Sequence, residues 1–255
     1  MPRPDAVQNP LRDRLLTSRE VAWGTWVASS SLTVVDALRT LDLSWVMIDT
    51  EHAPVNPETL AASIALLSAE GPTPLVRVGA VDPYPIKQAL DAGARGILAP
   101  LVASADEARR CVSYAKYPPV GVRGAAAAAA SRFGLELSAY LQDANDRTIV
   151  GVQIETREAL DHVEEIAGVP GVDLLFVGPQ DLTLSLGLGS QRTHPRVREA
   201  MARVVQACET HGKIPGTLVV SRDEKRVAID LGFRFISLAS DLRFLLEGAR
   251  TFLAW

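Results

Sequence analysis

Three stretches of this 255-residue chain stop on ionisable side chains where an apolar run would otherwise carry on. VQIET (152–156) stops at Glu155, LFVGPQDL (175–182) at Asp181, and WVMIDTEH (45–52) at Asp49, Glu51 and His52. The β-branched runs read as buried strands, and a carboxylate at the end of such a strand has no apolar reason to be there. Two of them, on strands separated by one helix, offer hard oxygen ligands to a divalent cation. A pair of protein carboxylates leaves positions for water and substrate oxygens, the usual pattern of Mg2+ rather than of a structural cage. Asp181 has a plainer alternative, capping the helix that begins with Leu182 and Thr183. For Glu155 that alternative is weaker, because Thr156 is the better cap.

Arg77 lies inside LVRVG, an apolar strand. A guanidinium there is always charged and needs a partner at low dielectric, either a structural carboxylate or a substrate oxyanion held by its planar fork. His52 follows a strand beside two acids, the position for a general base. Ser-His-Asp order, HExxH and a P-loop are all absent. No lysine falls inside a strand, which disfavours Schiff-base chemistry.

These groups need a scaffold that gathers strand ends. Eight apolar runs qualify as strands, at 21–28, 44–49, 74–79, 95–101, 148–155, 173–178, 214–220 and 234–239. They are continuously apolar, as expected when both faces of a parallel sheet are covered. Amphipathic stretches lie between them, opened by Asn56-Pro57-Glu58, Asp82-Pro83, Ser104 to Glu107, Thr156 to Glu158, His194-Pro195 and Ser221 to Glu224. Gly71, Gly93, Gly212 and Gly232 read as helix closers. Strict alternation over about 250 residues predicts a (β/α)8 TIM barrel in a single domain, with a polar leader at 1–19 and an insertion at 120–147 near the barrel mouth. In a barrel, active groups belong at the carboxyl ends of the strands. Asp49, Glu51, His52, Arg77, Gln153, Glu155 and Asp181 are all expected there.

Composition narrows the class. Net charge is −4 and 47% of residues are hydrophobic, so no basic field recommends a nucleic-acid partner. No apolar run approaches membrane-spanning length, and the polar start, MPRPD, has no signal-like apolar region. Cys111 and Cys208 have no CxxC spacing and suit a reducing, cytoplasmic setting.

The runs WVMIDTEHAP, PLVRV, DPYPIKQALDAGARGILAPLV, YPPVGVRG, VQIETREAL and FVGPQDLTLSLG resemble the HpcH/HpaI aldolase family, over nearly the whole chain from Gly24 to Ala249. The resemblance implies a barrel of the phosphoenolpyruvate/pyruvate-domain type and a homo-oligomer, usually a hexamer. It implies a class II aldolase, a carbon–carbon lyase that uses Mg2+, Mn2+ or Co2+ to cleave or form 4-hydroxy-2-oxo acids through a pyruvate enolate. The small-molecule partners would be pyruvate and an aldehyde. By the same resemblance Glu155 and Asp181 are metal ligands, His52 the base, Arg77 the transition-state arginine and Gln153 a substrate contact. The backbone of Gly178, Pro179, Gln180 and Asp181 faces substrate. Gln180 departs from the family, which usually has alanine there. The alternatives are another pyruvate-enolate lyase on this barrel, of the citryl- or malyl-thioester or decarboxylating kind, and a non-catalytic metal- or ligand-binding barrel.

Asp91, in QALDAG, matches an acid that raises the basicity of the family's histidine. It ends the third helix between strands, which should feed the amino-terminal face of the barrel, about 15–20 Å from His52. Two arrangements stay open. Asp91 reaches His52 from a neighbouring subunit, or the site closes within one chain and Asp49 is the partner.

Overall fold

The computed structural model of the chain describes residues 9–255. Eight strands form where the apolar runs lie: β1 Ala22–Val27, β2 Trp45–Asp49, β3 Thr73–Arg77, β4 Gly96–Ala99, β5 Ile149–Ile154, β6 Leu174–Val177, β7 Ile214–Val219 and β8 Phe235–Ser240. Each pairs in parallel with the next and β8 closes on β1, giving the expected (β/α)8 barrel.

Strand periodicity sorts the side chains into two cores. Trp45 and Met47 of β2, Leu75 of β3, Leu98 of β4, Phe176 of β6 and Phe235 of β8 form an inner cluster. The alternate residues Val46, Ile48, Val76, Ile97, Leu175 and Ile236 meet the helices in an outer one. The large inner groups need matching vacancies. Trp45 stacks on Phe235 with ring centroids 3.9 Å apart, and its indole N–H donates to Ala22 O at 3.0 Å. A Cβ on Gly24 would come within 2.1 Å of that indole.

Twelve α-helices form among the described residues: α1 Pro10–Thr17, α2 Leu32–Arg39, α3 Pro57–Glu70, α4 Pro83–Asp91, α5 Ala105–Ala115, α6 Leu137–Arg147, α7 Arg157–Asp161, α8 Val163–Ala167, α9 Pro179–Ser185, α10 Pro195–His211, α11 Arg222–Leu231 and α12 Asp241–Leu253. Asn56, Asp82, Ser104, Thr156 and Ser221 cap α3, α4, α5, α7 and α11 through their side-chain oxygens, and His194 caps α10. Gly212 and Gly232 close α10 and α11 in left-handed conformations, at φ 64° and 99°. Gly71 instead ends α3 in extended backbone. No helix among the described residues is long and apolar enough to cross a membrane.

Two expectations change. The part of the 1–19 leader that is described contains α1, whose buried Leu11 and Leu15 join the inner cluster; residues 1–8 lie outside the described residues. Asn9 Nδ2 donates to Arg95 O and Arg147 O at 2.9 and 2.7 Å, fastening α1 under the starts of β4 and β5. The insertion at 120–147, expected near the mouth, instead occupies the connection from α5 to β5. It therefore leaves and re-enters the barrel at the amino-terminal face. Lys116, at the end of α5, donates to the carbonyls of Asn145 and Thr148, and Arg123 pairs with Asp91 at the end of α4. Alanine content alone carries no information about which face a connection serves.

Gly24→Ala is expected to destabilise the chain by about 1–3 kcal/mol, because the added methyl overpacks the Trp45 indole. Urea unfolding should show a lower midpoint with little change in slope; an unchanged midpoint would refute the packing account.

Candidate functional site

Register builds the first half of the site. β2 and β3 pair Asp49 with Arg77, the last residue of each strand. Both carry the inward parity of Met47 and Leu75, so the apolar interior ends in a charged layer. Arg77 Nε donates to Asp49 Oδ1 at 3.0 Å and Nη2 to Oδ2 at 2.6 Å, a bidentate fork. Its Nη1 lies 3.1 Å from Glu51 Oε2 and 3.5 Å from Gln153 Oε1. The guanidinium sits 4.5 Å from the centre of the Trp26 ring, a cation–π contact. Asp49 Oδ1 also accepts the backbone N–H groups of Glu51 and His52, at 3.0 and 3.3 Å.

The second half is carboxylate-rich. Glu155 stands one residue beyond β5. Its Oε1 accepts from the Leu101 N–H at 2.8 Å and its Oε2 from Gln153 Nε2 at 2.5 Å. Burial raises its pKa; the Leu101 N–H pulls the other way, while Asp181 and Glu51 raise it further. Burial also raises Glu51, against the pull of Arg77 and His52. Gly178 leaves the space this arrangement needs, since a Cβ there would lie 2.9 Å from Glu155 Oε2. Asp181 is exposed in the first turn of α9, whose N-cap is Gly178. It is not the capping residue, so the alternative role weighed for it falls away.

This donor set fits a hard divalent cation. Asp181 stands near enough to raise the proton affinity of Glu155, and Gly178, with no Cβ, lets the Glu155 carboxylate lie close against the turn that carries Asp181. Among the described residues no group of three or more His, Cys, Asp or Glu side chains is disposed around one metal position. A cation here would therefore draw its other ligands from solvent or substrate.

A cavity of 350 Å³ opens at this end of the barrel, and Arg77, Gln153, Gly178, Pro179, Gln180 and Asp181, the six residues expected to meet substrate, all line it. A larger cleft of 670 Å³, beside α1 at the opposite face, holds none of these groups.

His52 follows β2 at the mouth with 68% of its side chain exposed, and its Nε2 stands 3.8 Å from Glu51 Oε2, beyond hydrogen-bond reach. Of the two partners left open for the imidazole, Asp49 makes no contact with the ring. The Asp49 carboxylate is committed to Arg77, and it holds His52 by the backbone only. Glu51 is the acid beside the ring. Asp91 lies at the end of α4, its carboxylate 2.6 Å from Arg123 Nη2 and 21% exposed. Arg123 is buried completely, 4.5 Å from the Tyr117 ring centre.

Three contributors were not anticipated. Trp26 is inward-facing one residue before the end of β1, a position that period-2 counting could have flagged; its indole N–H has no partner among the described residues. Leu101 holds Glu155 through its backbone in a left-handed conformation, φ 54°, which nothing in a leucine announces. Arg243, near the start of α12, lines the cavity.

A family model described as HpcH/HpaI aldolase/citrate lyase matches residues 22–247. The chain is 37% identical over 233 residues, 91% of its length and 88% of the relative's, to a 4-hydroxy-2-oxo-heptane-1,7-dioate aldolase of Escherichia coli. A solved HpcH/HpaI aldolase/citrate lyase family protein from Burkholderia cenocepacia J2315 superposes with a TM-score of 0.93 at 37% identity, covering 97% of this chain and 98% of that one. The citrate synthase SbnG superposes with a TM-score of 0.86 at 27% identity, over 96% of each chain. The family match takes in all eight strands and every strand-end group described above, and the chain belongs to the HpcH/HpaI aldolase/citrate lyase family.

Proposed function

We propose that this chain is a divalent-metal-dependent class II aldolase that cleaves and forms 4-hydroxy-2-oxo acids, exchanging them for pyruvate and an aldehyde. The observation that carries the reading is the strand-end layer, in which an oriented guanidinium and Asp181 line one cavity, with Glu155 beside them, bonded to the cavity-lining Gln153. Glu155 and Asp181 would hold Mg2+, Mn2+ or Co2+, and such an ion supplies Lewis-acid polarisation of the 2-oxo group and stabilisation of enolate charge.

The protein's own groups divide the remaining tasks. His52 accepts the proton of the substrate's 4-hydroxyl as the C3–C4 bond breaks; the bonding pair becomes the enolate, and the aldehyde is released. The same proton, returned to C3, gives pyruvate and restores neutral His52. Arg77 keeps a second hydrogen on Nη2 beyond the one given to Asp49, and it donates to the oxygen on which enolate charge develops. Gln153, tied to both Glu155 and Arg77, orients the keto-acid end. The backbone from Gly178 to Asp181 and the Gln180 side chain form the wall beside it.

The assembly we propose is a homo-oligomer, a hexamer in which Asp91 of one subunit orients His52 of another. Support comes from the exposed, unheld imidazole and from the apolar side chains left uncovered on a single chain, among them Leu245, Phe252 and Trp255 at its end and Phe133 and Leu135 in the insertion. Two free, buried cysteines are in keeping with a cytoplasmic setting.

A panel of 4-hydroxy-2-oxo acids should yield pyruvate with Mg2+, Mn2+ or Co2+ and none with EDTA. Metal-independent release across the panel would sink the class II reading. Glu155→Gln and Asp181→Asn should each weaken divalent-ion affinity and abolish pyruvate release, since either removes one of two protein charges on the ion; full activity at low metal concentration would reject the ligand pair.

Arg77→Lys should lower turnover on the order of 10²-fold, as expected for loss of a donor to developing charge, while the chain still folds. Loss of the folded state, seen by circular dichroism, would mark Arg77 as structural only.

His52→Ala should slow cleavage by on the order of 10²–10⁴ while pyruvate still binds. Mixed and reassembled with Asp91→Ala chains, it should recover activity above the sum of the two variants. Strictly additive activity, with subunit exchange verified by mass, would mean that Asp91 does not act across an interface.

A further inference from the structure

Two arginines line the mouth cavity, and one of them is already matched. Arg77 is held by Asp49 and Glu51. Arg243, in the first turn of α12, has its backbone N–H tied to Ser240 Oγ at 3.3 Å, and half of its side chain is exposed. Its Nε lies 2.9 Å from Glu247 Oε1, the same oxygen that accepts from Arg250 Nη1 at 3.2 Å. Two guanidiniums share one carboxylate, and the nearby Asp241 carboxylate is taken up by the backbone N–H groups of Ala28, Ser29 and Leu242. The approach of the pair through Nε leaves the terminal amino groups of Arg243 for a ligand.

The backbone that delivers Arg243 to the cavity is unusual. Ala239 sits at φ 46°, a left-handed conformation that a residue with a Cβ adopts only where its surroundings impose it. The pairing of β1 with β8 slips between Gly24 and Trp26, opposite the stretch that ends at Ser240. A slip of this kind re-aims the side chains beyond it, and here those are Ser240 and Arg243, both on the cavity wall.

We propose that Arg243 is a specificity-determining residue, reading an anionic group, carboxylate or phosphate, at the far end of the acceptor aldehyde. This rests on the aldolase reading given above. With the pyruvate half held against Arg77 and Gln153, the aldehyde half extends along the wall that carries Leu218, Val220, Gln180 and Arg243. Two apolar side chains accommodate a short carbon chain, and the guanidinium meets a planar or tetrahedral oxyanion at its end.

The test is aldol addition with the full-length chain, Mg2+ and pyruvate, using four acceptors: succinic semialdehyde, glyceraldehyde 3-phosphate, butanal and glyceraldehyde. The first two carry a carboxylate and a phosphate, and whichever is preferred identifies the anion. Arg243→Gln should lower the ratio of kcat/KM for that anionic acceptor over the neutral ones by about tenfold, through KM for the aldehyde, as expected for losing a charge-assisted hydrogen bond. Glu247→Gln, which removes the carboxylate that Arg243 shares with Arg250, should raise the same ratio. A ratio unmoved in Arg243→Gln, an equal loss with all four acceptors, or a wild-type preference for the neutral pair would overturn the assignment while leaving the aldolase reading intact. Failure of the wild type to condense pyruvate with any acceptor would instead overturn the aldolase reading, and this assignment with it.

Discussion

Asp49 and Arg77 meet across neighbouring strands at 2.6 and 3.0 Å, and much of the mouth is arranged by that contact. The pair is 6% and 11% exposed, and losing one member of a buried pair costs about 3–5 kcal/mol, so neither charge can be dispensed with. Once committed to Arg77, the Asp49 carboxylate still accepts two backbone N–H groups and thereby folds the segment after β2 over the strand ends. Glu51 and His52 arrive at the mouth by that route. Asp49, Glu51, Glu155 and Asp181 gather at this end of the barrel, and burial together with neighbouring carboxylates raises the proton affinities of Glu51 and Glu155. A region with that excess of negative charge favours a small cation of charge two.

The strand ends were readable because two periodicities coincide there. Runs such as 45–48 and 149–152 are apolar on both faces, so the first polar residue at an inward position has to mark the end of the packed interior. That logic found Asp49, Arg77, Gln153 and Glu155. It could not find which acid serves which base, because this depends on the register between strands that are distant in sequence. Asp49 was one of two candidates for the His52 ring and instead pairs with Arg77, since the register of β2 with β3 puts the two side by side. The plug formed by α1 was missed for a related reason: Leu11 and Leu15 look like stray apolar residues until a barrel stands above them. The 120–147 insertion was set at the wrong end because composition carries no record of direction along a strand.

Backbone strain was the other hidden layer. Ser30, Leu101 and Ala239 adopt positive φ without being glycine, and they follow β1, follow β4 and lie in β8, at the rim where substrate must enter. Such conformations cost of order 1–3 kcal/mol and persist where the surroundings over-determine them. At Leu101 the return is visible, an N–H aimed at Glu155. The inner packing shows the converse, rigidity by exclusion, with the Trp45 indole filling the volume that Gly24 leaves empty.

The closed floor of the barrel has a kinetic meaning. The inner cluster fills the barrel and Leu11 and Leu15 seal it from below, so the cavity over the strand ends opens only toward the rim. In the aldolase proposed above, with pyruvate against Arg77 and Gln153 and the aldehyde toward Arg243, both fragments would share that one exit. Release would then be ordered, the fragment nearer the rim clearing before the other.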